Sequence, residues 1–136
     1  MTKIFVILRG VSKRPHPTKA ELDILRVLWR EGPLSVREVR NILDRARPTG
    51  YTSVLKTMQI MTDKGLVERE ESGKAHIYRP VGTRQQTQSQ MVRDISERVF
   101  SGSAAALAMH ALSTQPVSDQ ELDELRRLIE QKRKQP

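Results

Sequence analysis

Cysteine is absent from the 136 residues, which removes disulfide frameworks, zinc ribbons, thiolate copper sites and cysteine nucleophiles at once. A reducing cytoplasm is the expected compartment. Histidine is nearly as scarce: His16, His76 and His110 stand far apart and form no HExxH or HxxxH pair, so neither a metal site nor a cofactor is expected. Long apolar runs are missing too. The run at residues 4–8 is too short for the hydrophobic region of a signal peptide and far too short to span a bilayer, so membrane insertion is not expected. Residues 1–17 read as a poorly ordered extension, with His16 in a linker between two prolines; an added strand, or sequence upstream of the true start, is the other reading of 4–8. The length suits one compact domain or two small units, not a doubly wound cofactor-binding enzyme or a TIM barrel.

What the chain does have is positive charge. Lys plus Arg number 24 against 16 Asp plus Glu, a formal net charge of +8, which makes a polyanion the first partner to consider, nucleic acid or anionic membrane. The excess is uneven: residues 1–83 hold 16 basic and 9 acidic side chains, whereas residues 84–136 hold 8 and 7. The basic charge belongs to the first part of the chain.

Three capping boxes mark helix starts: Thr18 with Glu21, Ser35 with Glu38, and Ser118 with Glu121. From the first, Leu22, Leu25, Val27, Leu28 and Trp29 form an apolar stripe that stops at Gly32-Pro33. The second starts a shorter helix bearing Val36, Val39, Ile42 and Leu43, ending near Arg45. After a turn at residues 47–50, Val54, Leu55, Met58, Met61 and Thr62 share one face of a third helix that Gly65 ends. Two short alternating stretches, 66–71 and 75–79, flank Ser72-Gly73-Lys74 and read as a hairpin with a basic tip. Residues 84–136 read as helices, with Met91 and Ile95 on one stripe, a small-residue helix over 104–112, and Leu122, Leu125, Leu128 and Ile129 on the last. These stripes exceed what so small a unit buries alone, so they dock within the chain or form an intermolecular seam.

Helix, short helix, turn, helix and hairpin in this order describe a winged helix-turn-helix over 18–83, followed by a helical dimerisation region over 84–136; the fold class is mainly α. The third helix then enters the major groove, with Thr52, Ser53, Lys56, Gln59 and Ile60 opposite its apolar face. Thr52, Ser53 and Lys56 suit base edges. Arg45, Arg47, Tyr51 and Lys74 suit the phosphate backbone, which fixes register without reading sequence. Each of these signals alone marks a solvated surface in most proteins; their coincidence on one face of a basic unit favours double-stranded DNA. The homodimer seam is assigned to Met91, Ile95, Leu122, Leu125 and Ile129, and two-fold symmetry then calls for a dyad operator. The competing reading is a winged-helix protein-interaction module without specific DNA binding. An enzyme with His76 and Glu68 or Glu70 as an acid/base pair lacks a pocket to shift any pKa. The first unit also shows no pattern of a spare apolar pocket.

The stretch Ala20-Glu21-Leu22-Asp23-Ile24-Leu25-Arg26-Val27-Leu28-Trp29, then Val36-Arg37-Glu38-Val39, then Tyr51-Thr52-Ser53-Val54-Leu55-Lys56-Thr57-Met58, then Lys64-Gly65-Leu66-Val67, resembles the penicillinase and methicillin-resistance repressors of the BlaI/MecI type. The resemblance implies a homodimeric transcriptional repressor on a dyad operator upstream of β-lactam-resistance or stress genes. It also implies release when a membrane-bound sensor metalloprotease, activated by a β-lactam, causes cleavage in the dimerisation region. The family's cleavage point is an Asn-Phe bond, and matching 118–125 to the corresponding segment places His110-Ala111 there. The absence of cysteine removes the copper-sensing branch, and Ile60 stands where many relatives carry Arg.

Overall fold

Reciprocal hydrogen bonds start the first helix: the Glu21 N–H donates to Thr18 Oγ1 (3.2 Å) and the Thr18 N–H to Glu21 Oε1 (2.9 Å), closing the capping box. The computed structural model describes residues 16–135, so the extension expected over 1–17 lies, apart from its last two residues, outside the described part. Helix α1 (Lys19–Glu31) ends at Gly32, whose φ of 91° is open to glycine and costly for other residues. Helix α2 (Val36–Asp44) opens on the Ser35/Glu38 box, and α3 (Tyr51–Lys64) closes on Gly65 at φ 81°. There the Gly65 N–H reaches Thr62 O and the Leu66 N–H reaches Met61 O, which satisfies the last carbonyls of α3 and turns the chain into the hairpin.

Strands β1 (Val67–Ser72) and β2 (Ala75–Pro80) pair antiparallel, from Val67 opposite Pro80 to Ser72 opposite Ala75. The loop is therefore two residues, Gly73-Lys74, one shorter than the sequence pattern suggests. Its positive φ falls on Gly73 (65°), where a type II′ turn takes glycine. The far edge of β2 is also occupied: Leu34 and Tyr78 exchange backbone hydrogen bonds of 3.1 and 2.8 Å.

Ile24, Leu25 and Leu28 from α1, Val36 and Val39 from α2, Val54, Met58 and Met61 from α3, and Val67 and Tyr78 from the hairpin form one buried cluster. Each lies at the spacing that its element turns inward. Two longer links close this core. Trp29 Nε1 donates to Gly82 O at 2.9 Å, and Lys64 Nζ meets the buried carboxylate of Glu21 at 2.7 Å, joining the start of α1 to the end of α3.

Beyond the hairpin, α4 (Arg84–Val99), α5 (Ala104–Thr114) and α6 (Asp119–Lys134) complete the mainly helical chain. Thr83 and Gln86 form a fourth reciprocal box, at 2.9 and 3.0 Å, which a search for Glu at the third position passes over. Ser103 caps α5 and Ser118 caps α6; hydrogen bonds from the backbone N–H and hydroxyl of Ser118 hold the Glu121 carboxyl below its usual range. The chain divides into two compact units, the first ending at Ser89 and the second beginning at Gln90. Among the described residues, no apolar side chain of the second unit is buried, and no helix is long and apolar enough to cross a membrane.

Candidate nucleic-acid interface

Helix α3 has two distinct faces because its apolar residues repeat at three and four positions. Val54, Met58 and Met61 are buried, while Tyr51, Thr52, Ser53, Lys56, Gln59 and Ile60 are exposed. The candidate base-reading residues Thr52, Ser53 and Lys56 thus stand together on the outer face within the first two turns. Gly50 offers α3 no side-chain cap, so the first N–H groups of this helix have no side-chain acceptor. Those groups and the helix dipole favour an anion at this end.

The turn before α3 is held by Arg40 and Asp44, to which the sequence pattern assigns no role. Arg40 Nε donates to Thr49 O (2.8 Å), the Thr49 N–H donates to Asp44 Oδ1 (2.9 Å), and Thr49 Oγ1 donates to Arg47 O (2.8 Å). Arg40 also lies 3.8 Å from Asp44 and donates to Asn41. This network winds the backbone tightly and leaves the Arg45 and Arg47 side chains exposed. On the neighbouring α2, the Arg37 guanidinium lies over the Tyr51 ring, 5.8 Å from its centroid.

Lys74 stands exposed at the hairpin tip, apart from the helix face. The strands behind it are not basic. Arg79 pairs across them with Glu68 and Glu70, and Glu71 lies opposite His76.

Arg47 and Ser53 also line an open cleft of about 400 Å³ together with Arg26, Arg30, Ile42 and Ala46. Its walls come from three helices, and periodicity within each helix carries no sign of the space between them.

In the second unit, Ile95, Leu122 and Ile129 are exposed and Met91 and Leu125 are half-buried. Leu125 lines a groove of about 370 Å³ with Leu112, Val117, Glu121, Glu124 and Leu128. His110 and Ala111 lie inside α5, with the His110 ring 5.8 Å from that of Phe100. The His110 carbonyl accepts from Ser113 Oγ (3.0 Å) and Thr114 Oγ1 (2.8 Å).

The sequence model of the penicillinase repressor family matches residues 17–131. The chain belongs to this family. It is 32% identical over 111 residues to the transcriptional regulator BlaI of Mycobacterium tuberculosis, in both strain CDC 1551 / Oshkosh and strain H37Rv, covering 80% of this chain and 79% of the relative. It is 19% identical over 121 residues to the penicillinase repressor of Bacillus licheniformis, covering 89% and 94%. A solution structure of the DNA binding domain of the repressor BlaI matches at 21% identity and a TM-score of 0.48, over 53% of this chain and 88% of that one. The family is one of transcriptional repressors and not of enzymes, and the winged-helix arrangement of α1 to β2 is the part of this member described above as the candidate interface.

Proposed function

We propose that this penicillinase-repressor family member binds duplex DNA with α3 in the major groove, Thr52, Ser53 and Lys56 at base edges, and Arg45, Arg47, Tyr51 and Lys74 on phosphates. The observation that carries this reading is the outer face of α3: hydroxyls and a lysine on an uncapped first turn, flanked by two exposed arginines of a wound turn. Replacing Lys56 by Ala is expected to relax choice at one base position at a cost of about 1–3 kcal/mol, whereas Lys74→Ala weakens all sequences alike. Titration of labelled duplex by fluorescence anisotropy between about 50 and 200 mM salt tests the whole reading, because counterion release demands a steep loss of affinity. Affinity that stays level across that range would overturn it.

The repressor acts as a homodimer on a dyad operator through Met91, Ile95, Leu122, Leu125 and Ile129. The uncovered apolar faces of the second unit support this. It controls β-lactam-resistance or stress genes, and a membrane sensor metalloprotease releases it by cutting near His110-Ala111. A protease takes its substrate extended, so α5 must first open. With no buried apolar side chain to hold it, and with the Ser103 cap, the His110–Phe100 ring contact and the hydroxyls of Ser113 and Thr114 on the His110 carbonyl as its supports besides the helix bonds, α5 belongs to the low-stability end of the molecule. When the protein is expressed beside such a sensor and a β-lactam is added, an immunoblot is expected to show a shortened chain as repression lifts. Derepression with the chain still at full length would reject release by cutting.

A further inference from the structure

Arg37 and Arg40 both project from α2, but the fold treats them differently. Arg40 is consumed by Thr49, Asn41 and Asp44 in holding the turn. Arg37 is exposed and, among the described residues, makes no hydrogen bond or ion pair; its neighbour Glu38 is engaged in the Ser35 capping box. The contact it does make is with the ring of Tyr51, the first residue of α3. A cation–π contact draws on the charge of the guanidinium and takes up none of its hydrogen-bond partners, which leaves the N–H groups able to donate to another acceptor. The Tyr51 hydroxyl likewise has no partner among the described residues.

We propose that Arg37 is a further DNA-backbone contact, and that Arg37 and Tyr51 act as a coupled clamp on one phosphate at the start of α3. This rests on the DNA-binding reading above. Three kinds of donor lie at this end of α3: the Arg37 fork, the Tyr51 hydroxyl and the uncapped N–H groups of the first helical turn. A planar fork suits phosphate oxygens better than an ammonium does. The cation–π contact restrains both side chains before DNA arrives, so less rotamer freedom is lost on binding. The charge of Arg37 takes no part in holding the unit together, which distinguishes it from Arg40.

The test is a set of duplex titrations over a salt series, paired with thermal melts of the full chain. Arg37→Ala is expected to weaken binding to all sequences alike by about fivefold or more and to reduce the log–log salt slope by about 0.9, with an unchanged melting temperature. Arg37→Lys is expected to keep the slope but recover only part of the affinity, because the ammonium neither stacks nor forks. Tyr51→Leu is expected to weaken binding, and the Arg37→Ala/Tyr51→Leu double variant to be weaker by less than the product of the two single losses. Wild-type slope and affinity in Arg37→Ala would overturn the proposal, as would a lowered melting temperature, which would make Arg37 structural. Independent, multiplying losses would overturn the clamp. A flat salt response in the wild-type protein would instead bring down the DNA-binding reading on which the clamp depends.

Discussion

Lys64→Ala is expected to lower the unfolding free energy of the first unit by about 2 kcal/mol, a large effect for one exchange near the surface. The reason lies in its partner. The Glu21 side chain is only 4% exposed, and its Oε1 accepts both the Thr18 N–H at 2.9 Å and Lys64 Nζ at 2.7 Å. Removing the ammonium leaves a carboxylate enclosed with one neutral donor, and desolvation that the pair had offset then stands uncompensated. Lys64 is itself 25% exposed, so water replaces part of the lost interaction and the cost stays below the 3–5 kcal/mol or so typical of a fully enclosed pair. Glu21→Gln keeps an acceptor for Thr18 and removes the charge that needed a partner, so its cost is expected to be nearer 1 kcal/mol, or about one neutral hydrogen bond. Arg30→Ala supplies the contrast. Its pair with Glu31 is 58% and 42% exposed, and such pairs contribute roughly 0–1 kcal/mol. Urea unfolding of the three variants with a common m-value separates these cases. A Lys64→Ala shift no larger than that of Arg30→Ala would show that the link between the start of α1 and the end of α3 does not hold the core together.

That link also marks where the sequence stops being readable. The starts of α1, α2 and α6 and the stops at Gly32 and Gly65 depend on residues within four or five positions of one another, and all were legible. The Thr83/Gln86 box is just as local and went unread only because Gln stands in for Glu. The Ser-Gly-Lys run has the composition of a loop and so points to Ser72 in the turn, yet its backbone pairs with Ala75, since a two-residue loop suffices with Gly73 at positive φ. The outer face of α3 was legible by periodicity. The bonds among Arg40, Asp44 and Thr49 that position it were not, because they depend on how the chain folds back at the turn, and the cation–π contact of Arg37 with Tyr51 spans fourteen positions between two helices. Glu21 and Lys64 are 43 positions apart, and Trp29 and Gly82 are 53 apart; such pairs are outcomes of packing and leave no periodic trace.

Leu125→Asp is expected to convert the proposed dimer into a monomer and to lower affinity for a two-half-site operator by about 10²-fold or more. The second unit explains the size of this effect. Among the described residues it buries no apolar side chain, and Leu122, Leu128 and Ile129 remain 46%, 53% and 52% exposed along α6. Helices of 11 and 16 residues are marginal by themselves in water, so faces of this kind need a covering partner to be stable. Leu125 is half-buried in the α5–α6 groove at the centre of that stripe, and a carboxylate there would have to be desolvated as a second chain closes over it. The first unit is untouched by the exchange, so its affinity for a single half-site should match the wild type. Only the joining of two half-site interactions is lost, the same end that cutting α5 within the second unit would reach without altering a single DNA contact. Two half-sites about one helical turn apart are the spacing at which the joining should be strongest. Sedimentation equilibrium gives the mass, and titration with one-half-site and two-half-site duplexes gives the two affinities. A variant that keeps the wild-type mass and operator affinity would place the seam on residues other than Leu125; one that loses affinity for the single half-site as well would show that the second unit supports the fold of the first.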